Sequence, residues 1–166
     1  MAAIDGDPAA CGRHVLETLG PEARAGGLQV EATLQTAWTL GQRELVERLV
    51  ANLLENAIRH NVASGWVAVE AGEGPDGPFL TARNSGPVVA PGDVDRLLLP
   101  FHRATANRTQ NTGGHGLGLS IVQAIAQAHR AALRIEAPAA GGLAARVRFR
   151  FPGVPLRGAI PDPGPS

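Results

Sequence analysis

Two hydrophobic periods alternate along the chain and divide it into elements. Residues 42 to 60 carry the clearest helical period. At about 100° per residue, Val46, Leu49, Val50, Leu53, Leu54 and Ala57 share one broad arc. Arg48, Asn52 and Arg59 fall on the opposite side, with Asn56 at the border. A second helix is predicted over 116–128. A third is predicted in "ACGRHVLETLGPEARAG", interrupted or ended near Gly20-Pro21, because proline has no N–H to give. "LQVEATLQTAWTL" reads as one or two strands. "GWVAVEAG" and "FLTARN" read as strands joined by the turn "EGPDGP", and "ALRIEA" and "LAARVRFRF" as strands joined by "PAAGG". Between them, Pro87 to Gly114 is a long segment of mixed character with an apolar island at Leu97-Leu98-Leu99. Strands outnumber helices and the last two form a hairpin. This order predicts a mixed β-sheet with helices packed on one face.

Residues 1–10 and the proline- and glycine-rich 152–166 are expected to be disordered ends around one domain at 11–151. With 44% hydrophobic but only 4% aromatic residues, the core must be aliphatic. Fifteen basic residues, all arginine, balance fifteen acidic ones. A net charge of zero gives no electrostatic footprint for nucleic acid or an acidic membrane. The lone Cys11 excludes an intramolecular disulfide framework and a multi-cysteine zinc site. Met1 to Ala10 does not resemble a signal peptide, and no stretch approaches the roughly 20 apolar residues of a membrane span. The chain is expected to be cytoplasmic, without membrane contact of its own.

Candidate chemistry concentrates in three places. In "NTGGHGLGLSIVQAIAQAH", Gly113, Gly114, Gly116 and Gly118 precede and enter a helix. Glycine is poor helix material, so the cluster indicates a sharp bend or a close approach. The unpaired N–H groups of a helix start favour an anion, phosphate first. A flexible loop leading into an ordinary helix is the plainer reading. On the first helix, Asn52 and Asn56 stand at i and i+4, one turn apart. They are either a solvated face with a Glu55–Arg59 ion pair or an amide pair for a hard cation. Mg²⁺ is such a cation, and it commonly keeps waters and phosphate oxygens as its other ligands. "ARNSGPVV" is a strand end running into a Gly-Pro turn, suited to a flat ligand edge. Taken together, the three stretches describe a nucleotide site.

These motifs resemble the catalytic, ATP-binding domain of bacterial sensor histidine kinases, in the superfamily that includes the gyrase and mismatch-repair ATPases. "NLLENAIRHN" is similar to the N box, "NSGPVV" to the first glycine box, "LLLPFHRA" to the F box and "GGHGLGLSIV" to the second glycine box. "AQAH" and the terminal strand pair resemble the family's ending. The resemblance covers roughly residues 28 to 151 and implies an α+β fold, a two-layer α/β sandwich with a mixed β-sheet and about three helices on one face, with bound ATP and Mg²⁺. By position, Asn56 would ligate the metal with Asn52 beside it. Arg59 would reach a phosphate and His60 would flank adenine or ribose. Gly86 would let adenine approach the backbone, at the box that begins with Asn84. Gly114, Gly116 and Gly118 would shape the phosphate end of a lid, with Leu117 and Leu119 packing beneath. Phe101 would anchor that lid, Arg103 or Arg108 would contact phosphate on closure, and His115 would lie near the metal. The lid, Pro87 to Gly114, is expected to be mobile without nucleotide and ordered by it.

The chain departs from the family at three points. Asn84 replaces the usual Asp that accepts from the adenine amino group, and Val88 replaces a glycine. Arg130-Ala131 stands where two glycines are usual after His129, so the helix there should be capped differently. None of the five histidines sits in a phosphoacceptor box. The implied partners are therefore a separate histidine-bearing dimerisation domain and, downstream, a response regulator. Two other readings stand beside this one. A stand-alone anti-sigma-factor-type serine kinase is opposed by "GHGLGLSIV" with an F box. A degenerate, nucleotide-free interaction module is suggested by Asn84 and Val88.

Overall fold

The computed structural model describes residues 6–99 and 118–151. Its elements are α1 (Pro8–Ala25), β1 (Gln29–Leu34), α2 (Arg43–Arg59), β2 (Trp66–Gly74), β3 (Gly77–Asn84), α3 (Val94–Leu97), α4 (Gly118–Ala128), β4 (Ala132–Glu136) and β5 (Leu143–Arg148). A single turn of 3₁₀ helix, Pro91–Asp93, leads into α3.

The strands form one mixed sheet in the order β1-β2-β3-β5-β4. β1 and β2 run parallel, and every other pair is antiparallel. A parallel pair needs a crossover, and α2 supplies it. α2 packs between α1 and α4, and the three helices cover one face of the sheet. The six apolar residues that shared the predicted arc of α2 are the six that it buries. They meet the inward residues of the strands, among them Val67, Val69, Leu80, Ala82 and Val147. On the other face the strands present charged side chains, and the Arg146 guanidinium lies 4.3 Å from the centre of the Phe79 ring. This is the mixed sheet with helices on one face that the pattern predicted, and the two-layer α+β sandwich that the resemblance implied. Among the described residues, no helix is long and apolar enough to cross a membrane.

Local expectations fail where side chains that the pattern does not display take over. α1 runs unbroken through Pro21. A proline inside a helix costs about 3 kcal/mol, but Val15 and Ala23, buried on either side of it, anchor both halves in one core. The same helix starts at Pro8, so residues 8–10 are helical rather than disordered. The buried Asp7 carboxylate caps it, accepting from Ala9 N–H at 3.0 Å and from Ala37 N–H at 3.2 Å. The turn "EGPDGP" shrinks to Pro75-Asp76 because both strands extend to a Gly74–Gly77 pairing. "LQVEATLQTAWTL" makes one strand, followed by an irregular connection held by the Gly6–Thr39 bridge.

Two helices end in the same Schellman geometry. After α1, Leu28 N–H reaches Ala23 O and Gly27 N–H reaches Arg24 O. After α4, Ala131 N–H reaches Ala126 O and Arg130 N–H reaches Gln127 O. The left-handed residue is Gly27 in the first and Arg130, at φ 52°, in the second. Arginine thus takes a conformation that usually selects glycine.

Candidate functional site

α2 carries one end of the site. Its buried stripe fixes the rotation of the helix, and Asn52 and Asn56 come out half-buried while Glu55 and Arg59 are exposed. The Asn52 amide nitrogen donates to the Arg48 carbonyl at 2.7 Å. That bond turns the carboxamide oxygen outward, toward the start of α4. A side chain beginning at Gly118 would come within 3.8 Å of this oxygen. The Asn56 carboxamide has no hydrogen-bond partner among the described residues. No ion pair joins Glu55 to Arg59. Among the described residues, no cluster of three or more His, Cys, Asp or Glu side chains could hold a metal. To a divalent cation, Asn52 and Asn56 would offer amide oxygens, beside water and the ligand's own oxygens. These are hard donors that suit Mg²⁺.

Packing of α4 on α2 brings Gly118 to Asn52 and sends Leu119, 6% exposed, into the core beneath. The joint has a second tie. His129, after the last turn of α4, holds its Nδ1 2.8 Å from the Ile125 carbonyl. Its Nε2 accepts from the backbone N–H of Gln42, the residue that precedes α2, at 3.3 Å. Gln42 itself gives α2 no side-chain cap.

The other end is built on the end of β3. Asn84 is buried, and its amide nitrogen donates to the Ser85 carbonyl at 2.7 Å. The carboxamide oxygen remains as an acceptor. Gly86 packs against the end of α2: a Cβ on it would stand 2.8 Å from the carbonyl oxygen of His60. The half-buried His60 closes α2, its N–H donating to Asn56 O at 3.1 Å. The structure thus brings Asn52 to Gly118, and His60 to Gly86 and Asn84. Val88 is exposed. Of the expected residues, Phe101, Arg103, Arg108, Gly114, His115, Gly116 and Leu117 lie outside the described residues, as does most of the expected lid.

Sequence reasoning missed the residues that hold this strand end in place. Asn61 donates to Ala57 O at 3.2 Å and to Trp66 O at 2.9 Å. Its oxygen accepts from Val62 N–H at 2.9 Å and from the Ser85 hydroxyl at 2.6 Å. Ser85 Oγ in turn accepts from Trp66 N–H at 2.8 Å. Asn61 uses its whole hydrogen-bonding capacity to tie α2, β2 and the residue after β3 together. The only signal in the sequence was its place as the last residue of "NAIRHN".

Residues 41–154 match the family of Histidine kinase-, DNA gyrase B-, and HSP90-like ATPases. The chain is 38% identical over 135 residues to the sensor protein CutS of Streptomyces coelicolor, covering 81% of this chain and 33% of CutS. It is 34% identical over 132 residues to the sensor histidine kinase CpxA of Escherichia coli, covering 78% of this chain and 28% of CpxA. It therefore spans only a minor part of the length of these relatives. A mycobacterial sensor histidine kinase, MprB, has the same fold, with a TM-score of 0.76 at 24% identity, over 87% of this chain and 97% of the other. The histidine kinase domain of the E. coli osmosensor EnvZ aligns with a TM-score of 0.64 at 27% identity, over 95% and 94% of the two chains.

Proposed function

The chain belongs to the family of Histidine kinase-, DNA gyrase B-, and HSP90-like ATPases, and from that premise we propose that it binds Mg-ATP as the catalytic domain of a two-component sensor kinase. The observation that carries this reading is the use of α2 as a ruler. Asn52 at one point of the helix faces the glycine start of α4, and His60 at its end meets Gly86. At 1.5 Å per residue the two points lie about 12 Å apart, the scale of a nucleoside triphosphate laid out from phosphates to base.

In this reading the Asn84 oxygen accepts a hydrogen of the adenine amino group, and Gly86 and His60 border the ring. Asn56 and Asn52 hold Mg²⁺ through their oxygens, with Arg59 toward the phosphates. The bound metal would supply charge neutralisation to the phosphate oxygens. Gly114, Gly116, Gly118 and Leu117 shape the phosphate end over Leu119, and Arg103, Arg108 and His115 complete it from the lid. Phosphoryl transfer asks a protein mainly for positioning and electrostatic stabilisation. The chain positions the donor, and the acceptor is an imidazole on a separate histidine-bearing dimerisation domain, with a response regulator downstream. A nucleotide-free interaction module is the second reading, favoured by Asn84 and Val88.

Incubation with γ-labelled ATP, with and without a histidine-bearing hairpin domain of a sensor kinase, tests the division of labour. The expected result is acid-labile, base-stable label on the added domain and none on this chain. Such label on this chain alone would overturn it.

A further inference from the structure

We propose that the Gly141-Gly142 turn, at the tip of the β4–β5 hairpin, is the positioning element that sets base selectivity in the nucleotide site. The inference rests on the nucleotide reading above and concerns how its base end is held.

The register of β3 on β5 pairs Asn84 with Leu143, so the turn begins just beyond the pocket residue. Gly142 N–H donates to the Pro87 carbonyl at 3.0 Å. Gly141 and Gly142 have φ of +107° and +77°, the left-handed region that side chains avoid. A Cβ on Gly142 would collide with the carbonyl oxygen of Asn84, and one on Gly141 with that of Gly86. A Cβ on Gly86 would in turn lie 3.3 Å from Gly142 Cα. These are backbone-on-backbone contacts with no flexible side chain to yield.

The consequence runs through Asn84. Its amide nitrogen is committed to the Ser85 carbonyl, so the position of that carbonyl decides where the Asn84 oxygen points. The turn touches the carbonyls on both sides of Ser85. Displacing it moves an acceptor that distinguishes a 6-amino purine from a 6-oxo purine. At the phosphate end of this reading, Asn52 of α2 meets the start of α4 at Gly118 instead.

Competition titrations with Mg-ATP and Mg-GTP on the folded chain separate this role from plain destabilisation. Three proteins are compared: the parent, Gly142→Ala and Gly27→Ala. Gly27 is the control, because it shares the left-handed conformation at φ +88° but has nothing within 4 Å of its Cβ position. Gly142→Ala should lose up to about fivefold in ATP affinity, the scale of the one neutral hydrogen bond that Asn84 makes, and keep the weaker GTP affinity within about twofold. Gly27→Ala should bind both nucleotides as the parent does. Should Gly142→Ala fail to fold, two glycines inserted after Pro138 add slack without a side chain and should lower the ATP-to-GTP ratio in the same direction. An unchanged ratio in the folded variants, or equal losses for both nucleotides, overturns the inference. A parent that binds neither nucleotide refutes the nucleotide reading instead.

Discussion

Asn52 and Asn56 stand on a helix whose far side is buried along its length, whereas Asn84 to Pro87 follow a strand end held by several separate segments. The first region needs only a correctly rotated helix. Val46, Leu49, Val50, Leu53, Leu54 and Ala57 fix that rotation, and the polar face can change without disturbing them. The second region needs α2, β2 and the β4–β5 turn to converge, with Asn61, Trp66 and Gly142 as the points of contact. Binding and stability should therefore come apart at the helix and travel together at the strand end.

The largest effect is expected at Asn61. Asn61→Ala removes four hydrogen bonds at once, to the Ala57 and Trp66 carbonyls, the Val62 N–H and the Ser85 hydroxyl. The cost should be on the order of 3 kcal/mol, from two part-buried bonds and two exposed ones. Chemical denaturation measures it. A loss below about 0.5 kcal/mol, the range of ordinary surface substitutions, would mean that the strand end is not braced as described.

Asn56→Leu should do the reverse. Leucine is a strong helix former, so the unfolding midpoint should hold or rise. Mg-dependent ATP affinity should fall by about 100-fold, the upper range seen when even a supporting group of a metal site is removed. Unchanged affinity in the folded variant would return this face to plain solvation.

At Asn84 the change is smaller. Asn84→Ala removes a neutral acceptor and should weaken ATP about fivefold. Asn84→Asp should tighten it modestly, since a charged acceptor is stronger but must be desolvated. Calorimetry on the three proteins decides. If Asn84→Ala binds like the parent, the base edge is held elsewhere.

The smallest effects lie at the helix ends. Arg130→Gly relieves a left-handed residue and should add about 1 kcal/mol, against no gain at Gly27, which is already glycine. Gln42→Asp should add a similar amount by giving α2 the side-chain cap it lacks, about 1 kcal/mol. Thermal unfolding reads both, and a loss in either variant would contradict the cap geometry.

The same contrast explains what the sequence disclosed. The buried stripe of α2 was legible because a helix repeats its surroundings every turn. The β2–β3 and β4–β5 pairs were legible from alternation and the turns that join them. The uninterrupted α1 was not, because a proline signal is local while the packing of Val15 and Ala23 that overrides it is not. Gly141 and Gly142 read only as a turn. Their contact with the Asn84 and Gly86 carbonyls follows from the β3–β5 register, which no single segment contains. A different cap was expected after His129, but Arg130 adopts the conformation that Gly27 takes after α1, so the geometry of the cap is unchanged.

Calorimetric titration of ATP into the purified chain, with Mg²⁺ and then with Mg²⁺ chelated, tests the central claim most directly. The account predicts saturable binding at one site that weakens sharply when the metal is withdrawn. A chain that unfolds cooperatively, and so is folded, yet takes up no ATP in the presence of Mg²⁺ would contradict it.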